Sequence, residues 1–316
     1  MFDEIRFLAE GAGLVLKTNR EPCEICGNTE FSGVYKGSIR DGVFGKHRSG
    51  ATVLQCGGCD VHRLAEEDCI PPEYYGSGEY RESLRQSLSG DKAVLEQDDM
   101  QRFTLNTLWP NSLRDKSILD AGCGVGSLLD MTRSISRSQI AVEPCEPYLE
   151  SLTARGYEVY PSLTEAAEFK SASIDWAFSI QVIEHVDNPR VFLQEIRRLL
   201  KPGGRALIST PNRNEILMSL LNEEFAPFFY RTAHRWYFDE SSLAKCAEKA
   251  GFEVAATSYV HKYGLANTMH WLRDKRPKGG AKLPGIDAMA DQFWKAYLEK
   301  NEASDTIFME LRAPEV

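Results

Sequence analysis

Ile118-Leu-Asp-Ala-Gly-Cys-Gly-Val-Gly-Ser-Leu-Leu129 decides how this chain is read. An apolar run ends on an acid, Asp120, and Gly122, Gly124 and Gly126 then lead into an apolar stretch that can open a helix. Glycines in a strand-to-helix turn let the backbone approach a ligand closely and adopt conformations closed to other residues. Dinucleotide-binding turns are built in a similar way. Here the third glycine falls one position early for G-x-G-x-x-G, and Ser127 stands where that fingerprint has Gly or Ala.

Downstream, Gln139-Ile-Ala-Val-Glu143 ends a second apolar run on a carboxylate, which can accept both hydroxyls of a ribose through charge-assisted hydrogen bonds. Glycine turn and strand-end acid, at this separation, favour an adenosylmethionine site over a nicotinamide one. Strand runs are expected at Ser117–Leu119, Ile140–Val142, Ala177–Ile180, Ala206–Ser209, Phe252–Ser258 and Thr306–Leu311. Helical patterns over residues 91–111, 191–200, 242–250 and 288–298 accompany them. Repeated strand-then-helix order implies a Rossmann-like, doubly wound parallel α/β sheet. Lys201-Pro-Gly-Gly204 stops one helix and turns the chain into the next strand.

Taken in order, the glycine turn, Glu143, Phe178-Ser-Ile-Gln-Val-Ile-Glu-His-Val-Asp-Asn-Pro189 and Leu199–Asn212 resemble the class I methyltransferases over about residues 90–260. That resemblance implies S-adenosyl-L-methionine as cofactor, held by Asp120, Gly122, Cys123, Gly124, Gly126, Glu143 and Gln181, with residues near Ser162–Leu163 flanking the adenine. Methyl transfer displaces a sulfonium in line, so positioning of the acceptor supplies much of the rate. An oxygen or carbon acceptor also needs a base, and Glu184, His185 and His234 are the candidates, with His titrating nearest neutrality. Gln181-x-x-Glu184-His185 is similar to a divalent-ion segment of some ubiquinone-type and small-RNA methyltransferases, which carry an acid where this chain has Gln181.

Cys23-Glu-Ile-Cys26 and Cys56-Gly-Gly-Cys59 form a C-x-x-C, long spacer, C-x-x-C set that can close a tetrahedral thiolate site for structural Zn2+. A small zinc ribbon with its connecting segment is therefore expected over residues 1–89, and the methyltransferase domain over 90–316, with an insertion at about 262–304. An N-terminal zinc piece joined to this catalytic domain resembles methyltransferases of deoxysugar and cell-surface polysaccharide pathways. On that resemblance, Tyr75, Tyr263, Asn267, His270 and Trp271 are substrate-site candidates, since they combine stacking surface with hydrogen-bonding groups; packing of the insertion against the sheet explains them equally well.

With 37 Lys+Arg against 46 Asp+Glu, the 316-residue chain carries a net charge of -9, a poor match to the phosphate backbone of a nucleic acid. Neither a signal peptide nor a run of membrane-spanning length is legible, so a cytoplasmic enzyme acting on a small molecule is expected. A quinone or secondary-metabolite O-methyltransferase, an RNA methyltransferase and a non-catalytic binding protein stay open beside the sugar reading.

Overall fold

A computed structural model describes residues 15–16, 22–71, 73–85, 87, 90–108 and 113–315. Two sheets organise it. In the smaller one, β1 (Val15–Leu16), β2 (Phe31–Arg40), β3 (His47–Cys56) and β4 (His62–Leu64) run as an antiparallel ladder. The larger one contains β5 (Ser117–Ala121), β6 (Ser138–Val142), β7 (Glu158–Tyr160), β8 (Ile174–Ile180) and β9 (Leu200–Pro211). After β9 the chain adds β10 (Trp236–Tyr237), β11 (Glu253–Val260) and β12 (Thr306–Arg312).

The larger sheet has the order β11-β12-β9-β8-β5-β6-β7. Its ladder is parallel from β7 to β9, and β12 is antiparallel to both β9 and β11. In β8 every residue but Asp175 is buried, the continuous apolar run of a parallel strand covered on both faces. Helices at Pro189–Leu199 and Glu240–Lys249 flank the sheet. Asn188 caps the first by accepting from Val191 N, with Pro189 preset for the first helical position. Asp239 and Ser242 close the second with a reciprocal capping box.

In the larger sheet the expected strands are all present, with one addition and one change. Glu158–Tyr160 is a strand of only three residues, too short to show a period of its own. Lys201–Gly204 does end the helix, which stops at Leu199, yet β9 already starts at Leu200 and carries the turn inside it, Gly203 taking φ +70°. A further helix runs over Leu265–Asp274.

The smaller sheet is not confined to the N-terminal stretch. β10 pairs with β4, Trp236 opposite Arg63 and Tyr237 opposite His62. Trp236 is fully buried, donates its indole N–H to Val186 O at 2.8 Å and lies 5.2 Å under the Arg63 guanidinium. A second seam joins Ile39, Val53 and Leu64 of the small sheet to Phe225, Phe229 and Tyr237. Residues 212–239 thus run from the end of β9 in the larger sheet to β10 in the smaller one, and they carry His234 on the way.

Candidate active site

A cavity of about 560 Å³ opens at the C-terminal ends of β5, β6 and β8, where ligands of open α/β sheets sit. One end is made by the glycine turn. Gly122, Gly124 and Gly126 all have φ between +56° and +79°. A Cβ on Gly122 would stand 2.5 Å from Val182 Cγ2, so this position excludes a side chain on both conformation and space. Glu143, 5% exposed, accepts from Gly124 N at 2.8 Å and from Cys145 N at 2.9 Å, which ties the turn to the next strand.

Asp120 is 2% exposed and lines the cavity. Burial first, then the neighbouring Glu143 charge, pushes its carboxyl up to about 8. Burial raises Glu143 too, against the lowering pull of its two backbone donors. Two buried acids so close resist ionising together, and a cationic or hydroxyl-rich ligand that pairs with their carboxyl groups relieves that cost. Cys123 lines the same end, with its N–H donating to Val142 O at 3.2 Å. Gln97, from the helix Gly90–Thr107, reaches over the turn and accepts from Val125 N at 3.3 Å, while Asp98 accepts from Ser127 Oγ. No motif marked either residue; only the approach of that helix reveals them.

At the other end stand Glu184, His185 and His234, whose candidate ligand atoms lie within 4.8 Å of one another. The His185 and His234 rings meet edge to face at 4.7 Å. His185 Nδ1 is 2.7 Å from Ala233 O, an acceptor only, so Nδ1 carries the proton and Nε2 keeps its lone pair. Tyr75 donates to the same carbonyl at 2.6 Å, and the rings of Tyr75 and Tyr80 each pack 5.3 Å from the imidazole. Burial drives His185 down to about 3, so the ring is neutral at physiological pH. Glu184, 1% exposed, is raised to about 7 by burial. Its Oε2 accepts from Thr210 at 3.1 Å, whereas its Oε1 has no hydrogen-bond partner among the described residues and lies 4.0 Å from His185 Nε2.

Gln181 also lines the cavity and holds a left-handed φ of +59°, with its amide 3.4 Å from Ser209 Oγ. A non-glycine residue in that region is a local strain kept by its surroundings. The sequence candidates therefore divide. Asp120, Gly122, Cys123, Glu143, Gln181, Glu184, His185, His234 and Tyr75 share one cavity. Gly124 and Gly126 shape its turn. Tyr263, Asn267, His270 and Trp271 do not line it. Trp271 is 2% exposed and packs on Phe225 and Phe228 at 4.9 and 5.1 Å, a core role. His270 Nδ1 meets Arg273 at 3.1 Å, and Asn267 lines a separate cavity of about 270 Å³. Tyr263, about half exposed, lies outside the cavity, near Arg40 and Arg231. Tyr80, which follows the second cysteine pair and stands close to Tyr75 in sequence, lines the central cavity as well, and Arg81 and Arg231 line it without having been marked by any motif.

On the small sheet, the Cys23 and Cys59 sulfurs are 3.8 Å apart and those of Cys26 and Cys56 3.4 Å apart. All four come together within 4.8 Å, and none is in a disulfide. Among the described residues no helix is long and apolar enough to cross a membrane.

An open parallel sheet with a nucleoside-sized cavity over a three-glycine turn defines the class as a Rossmann-like ligand-binding α/β fold. The family is narrower: residues 96–257 match the methyltransferase domain model, and the chain belongs to that family. A Mycolicibacterium smegmatis protein named "Probable S-adenosylmethionine-dependent methyltransferase" is 34% identical over 154 residues, 48% of this chain and 58% of its own length. The ubiquinone biosynthesis O-methyltransferase of Dinoroseobacter shibae is 30% identical over 155 residues, 46% of this chain and 62% of its own length. A crystal structure of an S-adenosylmethionine-dependent methyltransferase from Archaeoglobus fulgidus aligns at 18% identity with a TM-score of 0.46, covering 74% of this chain and 98% of that one. The chain spans less than two thirds of both curated relatives.

Proposed function

We propose that this protein transfers the methyl group of S-adenosylmethionine to a small polar acceptor, a nucleotide-linked sugar or surface-glycan precursor. The observation that carries the reading is one cavity with two unlike ends, the glycine turn with Asp120 and Glu143 at one and the Glu184–His185–His234 group at the other. In this reading Asp120 and Gly122–Gly126 seat the methionine part and Glu143 takes the ribose hydroxyls, while residues near Ser162–Leu163 flank the adenine. The bound cofactor supplies an electrophilic methyl group.

The protein's own contribution is to orient the acceptor and move its proton. His185 presents the bare Nε2, held in that tautomer by Ala233 O, and Glu184 beside it supplies a counter-charge once ionised. Neutral rings from Tyr75 and Tyr80 keep the imidazole in place and exclude water. The names of relatives support a second acceptor class, a quinone-type ring hydroxyl, and the same base would serve it.

We infer further that Cys23, Cys26, Cys56 and Cys59 hold a structural zinc ion. Four thiolates at ~2.3 Å from zinc lie ~3.8 Å apart in a tetrahedron, close to the separations seen here. Such a site has no open position, so its role is to hold the small sheet. Calorimetric titration with S-adenosylhomocysteine, with NADH as control, tests the cofactor assignment: micromolar binding of the former alone is expected, and binding of NADH instead would refute it. A screen of nucleotide sugars against quinone-type phenols then separates the two acceptors.

A further inference from the structure

Arg40 and Arg231 are held side by side. Arg40 N donates to Tyr230 O at 2.9 Å and Thr232 N donates to Arg40 O at 3.0 Å, forming a bridge between positions 40 and 231. Three largely buried arginines of the molecule are neutralised, Arg63 by Glu24, Arg213 by Asp239 and Arg235 by Glu66. Arg40 and Arg231 have no carboxylate at ion-pair distance among the described residues, and the Nε of each is buried without a partner.

The acids nearby do not fill this gap. Asp41 spends its carboxylate on Thr232 Oγ1 at 2.8 Å. Burial raises Glu215 well above its ordinary range, which holds back its charge near neutral pH, and Glu184, raised to about 7 and half ionised there, makes no ion pair with Arg231. Arg40 rests on the Phe228 ring at 4.4 Å, which supports its cation without cancelling it. Burial and then Arg231 pull Arg40 down to about 9, the signature of two cations facing each other in a poorly hydrated place. Enclosing guanidinium groups without counter-charge is unfavourable unless a ligand completes them.

Arg231 lines both the central cavity, beside His234, and a smaller cavity next to it. An anion bound there would sit at the acceptor end, away from Asp120 and Glu143. We propose that Arg231, backed by Arg40, seats a phosphoryl group of the acceptor, so that the methylated molecule is a phosphate ester or diphosphate. This inference rests on the methyltransferase reading above and narrows its acceptor. Two adjacent guanidinium groups match a doubly charged phosphate or diphosphate, whereas a monocarboxylate would balance only one of them.

The test is calorimetry on full-length protein saturated with S-adenosylhomocysteine, with inorganic pyrophosphate and uridine diphosphate as titrants. Saturable binding to wild type is expected, weakened at least about tenfold in Arg231→Gln and in Arg40→Gln, with S-adenosylhomocysteine affinity unchanged. Arg231→Lys, which keeps the charge and loses the planar fork, provides the readout should a Gln variant fail to fold, and an intermediate loss is expected. No pyrophosphate binding to wild type, or equal binding in the variants, overturns the proposal. Arginine-dependent binding of 4-hydroxybenzoate in place of pyrophosphate overturns the phosphoryl assignment. Should S-adenosylhomocysteine itself fail to bind while pyrophosphate binds through Arg231, the anion seat stands and the methyltransferase reading falls.

Discussion

Gly122→Ala attacks the cavity at its most constrained point. The residue adopts φ +78°, where an alanine loses about 1–2 kcal/mol relative to the right-handed regions. Its Cβ would lie 2.5 and 3.2 Å from the two methyl carbons of Val182. Relieving that overlap means displacing a branched side chain on the turn after β8, at about 1–3 kcal/mol. The two effects together predict a loss of about 2–5 kcal/mol in urea unfolding of the ligand-free protein, with S-adenosylhomocysteine binding weakened because the turn shifts. Val182→Ala opens space for the new methyl but leaves the backbone conformation unchanged. In a double-mutant cycle it should therefore recover the steric part and no more, a coupling of about 1–3 kcal/mol. Stability of Gly122→Ala within about 0.5 kcal/mol of wild type, or no coupling to Val182→Ala, would refute the close-approach argument.

Three other outcomes are expected. Cys56→Ser with Cys59→Ser should release one zinc ion per chain by elemental analysis, and a metal-free wild-type protein counts against the zinc assignment. Glu184→Gln should lower kcat by about 10²–10⁴-fold; in wild type, the rate should rise with pH through about 7 as Glu184 loses its proton, and this limb should vanish in the variant. Asp120 has a folded value of about 8, above the ordinary carboxylate range, so its stabilising contribution is complete at low pH and lost as pH rises through that value. Urea unfolding of Asp120→Asn against wild type should show the wild type losing ground between pH 5 and 8 by up to about 1.4 kcal/mol per pH unit; parallel pH profiles would contradict the burial argument.

What the sequence made legible was local. The glycine turn, the strand-end acids Asp120 and Glu143, the Glu184–His185 pair and the four clustered cysteines each carry their meaning in adjacent residues or short spacings. The larger sheet followed from alternation of strand and helix patterns. Contacts between distant segments were not legible. Gln97 meets Val125 across 28 residues and Arg40 meets Arg231 across 191, and neither pair has a spacing rule to announce it. Trp271 shows the converse: an aromatic beside polar groups reads as a binding surface until Phe225 and Phe228 are found against it. His234 was suspected from its residue type and from the divalent-ion resemblance, and the fold supplied the reason by looping residues 212–239 from the large sheet to the small one.

That loop has a consequence for how the chain is made. β4 waits for a partner, Trp236, that lies 173 residues after Arg63. At a synthesis rate of roughly 5–20 residues per second, β4 emerges about ten to thirty seconds before β10 exists. Pairing over such a separation also carries a large loop-closure cost unless the intervening segment is already compact. Collapse of β5 to β9 before β10 reaches the open edge of β4 is the order that keeps this cost smallest. On the zinc reading proposed above, a cell short of the metal at that moment would leave the edge of β4 unshaped when β10 arrives, and damage at the cysteines would be inherited by the wall that carries Arg231 and His234.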